Sequence, residues 1–248
     1  MVMRTVFRLL AAALVAIVAY SCAAPIDPAR ATVQHIVEDL AAQRYGNATA
    51  VYREAEDVVL SEAAADSWRR ALEHEDATVR QWAVDALSRI GDPADLALVV
   101  DALDDSFRKV QEIAAEGLMR MDPDHARGIF LQRLEAPDIM ARVLAAQTLA
   151  DMGETAAVPG MIEQLQDDSL DDGVRDVMAQ SLGRLGDSRA AMPLVELALD
   201  ESADLQLRRS AADAVTLLPV EESRDALRRL GQADDAYIRD LAERALRD

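Results

Sequence analysis

Apolar residues along positions 63–248 recur with the period of an α-helix, and the whole pattern repeats with a longer period of about 32 residues. Around position 85, Val79, Ala83, Leu87 and Ile90 fall on one face of a helix, whereas polar residues fill the other faces. Such a stripe predicts a helix that buries one side. One apolar position, usually leucine, anchors each copy and recurs at intervals of 31 or 33 residues: Leu87, Leu118, Leu149, Leu182, Val215 and Leu246.

Each copy predicts two helices. Gly91, Gly153 and Gly186 follow the second helices, where glycine tolerates the left-handed ending best. The small changes in spacing between copies fall in the turns between helices, at 168–170 and 201–202. The first helices are predicted at 63–73, 94–103, 124–134, 156–166, 188–199 and 221–230.

One helix pair cannot bury its apolar faces alone, so neighbouring pairs must stack. The sequence therefore predicts an all-α fold, an α-solenoid of stacked antiparallel helix pairs. Over 63–248 the pattern resembles short bacterial HEAT repeats of the type found in phycobilin lyases. That resemblance implies six HEAT-like repeats in an armadillo/HEAT-like superhelix. Residues 31–62 carry a weaker apolar pattern, with Val33, Ile36 and Leu40 on one face, and are predicted to form an N-terminal capping helix pair.

The N-terminus is typical of an export signal. Arg4 and Arg8 precede an uncharged run over positions 9–20. A helix of that length spans about 18 Å, too short for a bilayer core of about 30 Å. Residues 1–21 are therefore predicted to be a cleaved signal peptide.

The only cysteine, Cys22, follows this run directly, and residues 18–22 (Val-Ala-Tyr-Ser-Cys) resemble a bacterial lipobox. The resemblance implies lipidation of Cys22 and a membrane anchor through that lipid alone. The alternative is an ordinary secretory signal that is cleaved nearby. Residues 22–30, with Pro25 and Pro28, are predicted to be a tether. By resemblance to lipoprotein sorting in diderm bacteria, Ala23 after the cysteine favours the outer membrane of the cell envelope.

Charge excludes one class of partner. The chain carries 45 acidic and 26 basic residues, a formal charge of −19 at pH 7. Nucleic-acid binding needs clusters of lysine and arginine on one surface, so nucleic acid is not expected as a partner. A GC-rich genome and a saline habitat both remain open as explanations of the acidity.

Five aspartates begin second helices and are each followed four positions later by an arginine. Aspartate suits the N-cap of a helix, and the arginine could reach back to it or to the aspartate of the next repeat. This pattern resembles the Asp/Arg ladder of HEAT repeats, and the resemblance implies a structural role for both residues. In the second repeat Phe107 and Gln111 replace both partners together, as a pair predicts; plain capping with an exposed arginine is the alternative. The predicted ladder comprises Asp76, Arg80, Asp138, Arg142, Asp171, Arg175, Asp204, Arg208, Asp235 and Arg239.

No pattern of catalytic residues is present. His35, His74 and His125 are far apart in the repeat order, and the motifs of nucleotide-binding and nucleophilic enzymes are missing. No metal and no cofactor are therefore expected. The acidic run 167–173 lacks the spacing of a calcium loop and is interpreted as a turn between helices. Trp82 occupies a position that is mostly apolar in the other repeats, which favours packing over ligand binding.

The leading hypothesis is a non-catalytic, lipid-anchored scaffold that binds another protein of the envelope. The alternative is a lyase-like or chaperone-like factor acting on a cofactor-bearing protein, by analogy with bilin lyases. Second helices line the concave side of HEAT-like arrays, and their acidic residues suggest a partner with a basic segment. The predicted partner-binding stripe comprises Gln81, Asp85, Glu112, Glu116, Gln147, Asp176, Gln180 and Asp213.

Overall fold

The helical period of the sequence is realised as helices throughout the computed structural model, which describes residues 27–247. The N-terminal part forms α1 (Pro28–Ala41), α2 (Tyr45–Glu54) and the one-turn α3 (Glu56–Val59). The first helices of the six pairs are α4 (Glu62–Ala71), α6 (Leu96–Asp101), α8 (Pro123–Arg133), α10 (Val158–Leu165), α12 (Ala191–Leu199) and α14 (Val220–Leu230). The second helices are α5 (Ala77–Ile90), α7 (Arg108–Met121), α9 (Ile139–Asp151), α11 (Asp172–Leu185), α13 (Leu205–Thr216) and α15 (Ala236–Ala245).

The chain divides into two compact units, Met1–Pro123 and Asp124–Asp248. In the first unit α5 packs against both α4 and α7. In the second unit α11 packs against its own first helix α10 and against the second helices α9 and α13. Helix pairs therefore stack within each unit, and the predicted fold class, an all-α solenoid of stacked pairs, is confirmed. The described residues contain no strand.

The helices begin and end where local chemistry favours it. Asp76, at the N-cap of α5, accepts a hydrogen bond from the backbone N–H of Thr78 at 2.7 Å. This bond satisfies one of the N–H groups that a helix start leaves without a partner. Gly91 and Gly186 end α5 and α11 with φ of 74° and 66°, in the left-handed region that glycine adopts without strain.

Small residues let neighbouring second helices approach closely. A methyl group added at Gly183 of α11 would lie 2.9 Å from both Cα and Cβ of Ala214 in α13. In the first unit, one added at Gly117 of α7 would lie 2.7 Å from Cβ of Ser88 in α5. We call these close contacts between second helices the seams. The leucines beside the seams supply the apolar core, and Leu87, Leu118 and Leu182 are fully buried.

Two N-terminal boundaries differ from the sequence-based prediction. α1 begins at Pro28, so residues 28–30 are helical and do not belong to the tether. Asp27 caps this helix by accepting from Ala29 N at 2.8 Å, and proline presets the helical φ at the first position. The region predicted as one capping pair contains three helices, because a break at Ala55 separates α3 from α2. The predicted signal peptide and Cys22 lie outside the described residues. No helix among residues 27–247 is long and apolar enough to cross a membrane.

Candidate functional site

The aspartates and arginines of the predicted ladder have separate partners. Like Asp76, the aspartates that precede α9, α11, α13 and α15 each accept from a backbone N–H of the first turn that follows. Four of the five arginines instead donate to carbonyl groups at the end of the preceding first helix or in the turn after it. Arg80 donates to His74 O at 2.8 Å, Arg175 to Leu165 O at 3.0 Å and Arg208 to Ala198 O at 3.2 Å. Arg239 donates similarly to Ala233 O. This differs from the predicted Asp–Arg pairs, because each aspartate binds the N–H groups of its own helix while the arginine reaches carbonyls that have no helical partner.

The second repeat keeps only one of these two functions. Phe107, at the N-cap of α7, cannot accept a hydrogen bond through its side chain, and no other side chain caps this helix. Asp105 accepts from Phe107 N at 2.8 Å, the backbone group of the cap residue itself. Gln111, at the arginine position, donates its amide to Asp105 O at 2.7 Å. In the first repeat Asp76 and Arg80 bond different partners, so the joint replacement here does not represent a lost Asp–Arg bond.

A different set of aspartates connects successive repeats. Asp105, in the turn between the helices of the second repeat, forms a bidentate ion pair with Arg80 of the first, at 2.7 and 2.8 Å. This pairing holds the pKa of Asp105 below its ordinary value, with burial acting against it. In the second unit Asp167 and Asp200 occupy the corresponding turns.

Both turn aspartates of the second unit bind a serine two positions later. Asp167 accepts from Ser169 N and Oγ, and Asp200 from Ser202 N and Oγ, at 2.6 to 2.9 Å. These serine hydrogen bonds lower the pKa of each aspartate, and the arginine of the preceding repeat, Arg142 or Arg175, lowers it further. Sequence reasoning missed this set, although the recurring Asp-x-Ser of the turns was the available signal.

The predicted partner-binding stripe lies on what we call the second-helix face: the exposed side of α5 and α7 in the first unit, and of α9, α11, α13 and α15 in the second. All eight stripe residues are on these helices and at least partly exposed. Glu116 and Gln180 are the most exposed of them. The structure therefore makes the stripe accessible, within each unit taken separately.

In the first unit the acids of this face are flanked by basic side chains. Asp85 lies 3.9 Å from Arg89 and 3.8 Å from Arg120, and Arg120 also donates to Ser88 Oγ at 2.7 Å. Arg89 in turn contacts Glu56 and donates to Tyr52 Oη at 2.9 Å. Glu112 is bonded by Arg108 and Lys109, both at 3.2 Å. The negative charges of Asp85 and Glu112 are therefore compensated here.

In the second unit the same face carries hydrogen bonds between and within helices. Asp213 accepts from Tyr237 Oη at 2.7 Å, which raises the pKa of Tyr237. Asp176 accepts from Gln180 at 2.7 Å. Arg184 forms an ion pair with Asp151. Sequence reasoning missed the arginines of this face, although Arg89, Arg120 and Arg184 each lie two positions after the leucine that anchors the repeat.

The two tryptophans have different environments. Trp68 is fully buried, and its indole N–H donates to Val59 O at 2.7 Å. Trp82 is partly buried against the core and meets Tyr52 edge to face, with ring centroids 5.3 Å apart. Burial raises the pKa of Tyr52 to about 12, against the lowering effect of Arg89. Trp82 therefore packs, as its apolar equivalents predict, but also borders the second-helix face.

His74 and His35 contact residues close to them in the sequence. His74 Nδ1 accepts from Asp76 N at 3.0 Å, the same turn geometry that Asp105 provides in the next repeat. His35 lies 3.7 Å from the buried carboxylate of Asp39. Residues 27–247 contain no group of three or more side chains placed to hold a metal ion. In the acidic run 167–173, Asp167 and Asp171 cap the turn and the start of α11.

The repeats match a known family. A family model for HEAT repeats matches residues 44–119, 97–183 and 129–215, which together span more than half of the chain. The chain therefore belongs to the HEAT-repeat family, as the sequence pattern predicts. A search of curated proteins finds no match.

Solved structures share the fold at low sequence identity. An engineered protein is 18% identical with a TM-score of 0.47, over 74% of this chain and 95% of its own. The complex of CpcE and CpcF of phycocyanin lyase, from a Nostoc species, is 19% identical with a TM-score of 0.46, over 72% and 74%. Human deoxyhypusine hydroxylase is 17% identical with a TM-score of 0.42, over 88% and 96%. These similarities concern the fold alone.

Proposed function

We propose that this protein is a non-catalytic interaction scaffold of the bacterial cell envelope. It binds other proteins through the second-helix face and is anchored to the outer membrane by a lipid on Cys22. The HEAT-repeat fold supports the binding role, because stacked repeats present long, regular surfaces.

One observation carries the proposal: polar side chains of the second-helix face are already held in place by neighbours on the adjacent second helix. Arg120 of α7 is fixed to Ser88 and Asp85 of α5, and Tyr237 of α15 is fixed to Asp213 of α13. Side chains that are ordered before a partner arrives lose less conformational entropy on binding, typically about 0.5–1.5 kcal/mol less for each. Such a surface favours recognition of a partner.

The non-catalytic part of the proposal is supported by what the polar side chains do. Arg80, Arg175 and Arg208 cap helix ends, and His74 closes a turn. Arginines and acids of the second-helix face bind one another. These groups have structural partners, whereas a catalytic group is held near a nucleophile or general base with room for a substrate.

Site-specific photo-cross-linking tests the binding role. A photoreactive amino acid at Gln180, which is exposed on α11, should yield a specific cross-linked partner in intact cells. The same amino acid at Asp225, which is on the first helix α14 with an exposed side chain, provides the matched control. Equal cross-linking at the two positions, or none at Gln180, would contradict binding through this face.

The lipid anchor is tested separately. Cys22→Ala should release the protein from the membrane fraction, since no acyl chain can then be attached. Stable anchoring needs at least two acyl chains, because one gives only marginal binding. Mass spectrometry of the mature N-terminus should find acylated Cys22 as the first residue, and any other N-terminus would refute the anchor while leaving the binding role standing.

A further inference from the structure

Two second helices of the second unit begin with an exposed apolar side chain. Ile139 at the start of α9 is 42% exposed, and Leu205 at the start of α13 is 44% exposed. Met140, beside Ile139, is also exposed. A single exposed apolar residue is ordinary. Here the same helix position is apolar in two repeats, on the same edge of the second-helix face.

The spacing between these positions follows from the packing. α9 packs against α11, and α11 packs against α13. Packed helices lie about 8–10 Å apart, so Ile139 and Leu205 are separated by about 20 Å. Between them α11 begins with Asp172 and Gly173, which leave the middle of this edge without an apolar side chain.

The middle of the edge is strongly acidic. Residues 166–176 contain five aspartates and one arginine. The side chains of Asp168 and Asp172 are 83% and 51% exposed, whereas Arg175 is only 9% exposed and donates inward to Leu165 O. Arg175 compensates part of this charge, at 3.0 Å from Asp168 and 3.7 Å from Asp172. The N-terminus of α11 adds only about half a positive charge, so the edge remains negative.

This edge therefore differs from the rest of the second-helix face in the same unit. Elsewhere on the face the acids are bonded by a neighbouring side chain, as Asp151 is by Arg184 and Asp213 by Tyr237. At the edge, arginines point inward to backbone carbonyls while aspartates remain outside. A second copy of this chain, with a net charge of −19, is a poor electrostatic match for such a surface.

We propose that this edge binds a protein segment with two apolar anchors about 20 Å apart and basic residues between them. The inference rests on the proposed scaffold function and specifies the chemistry of its partner. Ile139 and Leu205 receive the anchors, and Asp168 and Asp172 attract the basic centre. In a helical segment, this separation of about 20 Å corresponds to anchors about 14 residues, or four turns, apart, which places both on one face.

Synthetic helical peptides test the match directly. The probe peptide carries two leucines on one face at this anchor separation, with four arginines between them. A control peptide has the same composition, but its leucines are only two helical turns apart. Fluorescence anisotropy with the full chain should show the probe binding about tenfold tighter than the control, because only the probe buries both anchors.

Variants of the edge residues provide a second test of the proposal. Ile139→Ser with Leu205→Ser should weaken probe binding about tenfold. Asp168→Asn with Asp172→Asn should slow association and reduce its dependence on salt. Met192→Ser and Glu196→Gln, on the first helix α12, are matched controls with exposed side chains and should leave binding unchanged.

The outcomes separate the two proposals. Equal binding of probe and control peptides, or equal losses in the edge and α12 variants, would overturn the edge proposal. If the partner cross-linked at Gln180 is captured undiminished by the Ile139→Ser, Leu205→Ser chain, the edge proposal is wrong and the scaffold function stands. Loss of that partner in this variant, with capture retained in Met192→Ser, supports both.

Discussion

The second-helix faces of the two units use the same repeat differently. In the first unit, Glu56, Arg89, Asp85 and Arg120 form a connected series of opposite charges across the face. In the second unit, Ile139 and Leu205 are exposed at the helix starts and acids face outward between them. The repeat fixes where a side chain points, because its helical position sets its direction. The residue at that position decides whether the charges of the face are compensated by neighbouring side chains or stay exposed.

The largest effect is expected at the seams between second helices. Gly183→Ala should destabilise the second unit by about 2 kcal/mol, because the new methyl group meets the backbone of Ala214. Gly117→Ala should also destabilise the first unit, but there Cβ of Ser88 obstructs, and Ser88→Gly should restore much of the loss. Ala214→Gly should not rescue Gly183→Ala, since Cα and O of Ala214 still obstruct.

The measurement for these seam variants is urea unfolding followed by circular dichroism. Gly128→Ala is the matched control, because its methyl group would meet nothing within 4 Å. This variant should stabilise the helix, by about 0.5–1 kcal/mol. If Ser88→Gly and Ala214→Gly rescue their partner variants to the same extent, the two seams are not obstructed by different kinds of atom.

A slightly smaller difference is expected between two arginines at the same repeat position. Arg80→Met should cost about 2 kcal/mol, because it leaves the largely buried carboxylate of Asp105 and the carbonyl of His74 without this donor. Arg142 has a buried Nε with no hydrogen-bond partner, so Arg142→Met should cost less, about 0.5 kcal/mol or below. Urea unfolding of both variants checks the order, and an equal cost would mean that Arg80 acts through its aliphatic stem alone.

The Arg80–Asp105 pair also predicts a dependence on pH. The pKa of Asp105 is lowered in the folded chain, so its contribution to stability is present above the ordinary carboxyl pKa of about 4. That contribution is lost as the pH falls through the lower folded-state value. Between about pH 4 and about pH 2, Asp105→Asn should therefore lose less stability than the unaltered chain. Parallel slopes of stability against pH would contradict the role given to this pair.

The smallest effect concerns Tyr52. Its pKa is raised to about 12 by burial, so folding favours the neutral phenol. The stability this contributes is complete below the ordinary tyrosine pKa of about 10 and is lost as the pH rises toward about 12. Absorbance titration of the phenols should show a late step near this raised pKa that Tyr52→Phe removes. If the late step persists in Tyr52→Phe, another tyrosine is the one shielded from water.

The repeat and its helices were readable from the sequence because they depend on local, periodic physics. An apolar stripe at helical spacing defines which face is buried, and Leu87, Leu118 and Leu182 are indeed fully buried. The αL glycines were readable for the same reason: Gly91 follows the last apolar residue of its helix and has φ of 74°. Sequence position alone determines such features.

The partners of the charged residues were not readable in this way. Asp76 and Arg80 are neighbours in sequence, yet Asp76 caps α5 while Arg80 spans to Asp105 in the next repeat. An arginine side chain has many rotamers, and several acceptors lie within its reach. Only the tertiary structure decides which of them it meets.

By itself, the sequence determined the helices, their repeat and which side of each helix is buried, because these follow from residue spacing within one helix. The tertiary structure decided which charges compensate one another and which stay exposed. The sequence does not distinguish the carboxylates of Asp85 and Asp168. In the structure, Asp85 lies between two arginines, whereas Asp168 is exposed and has one buried arginine beside it. Interactions across repeats depend on distances that only the packed helices set.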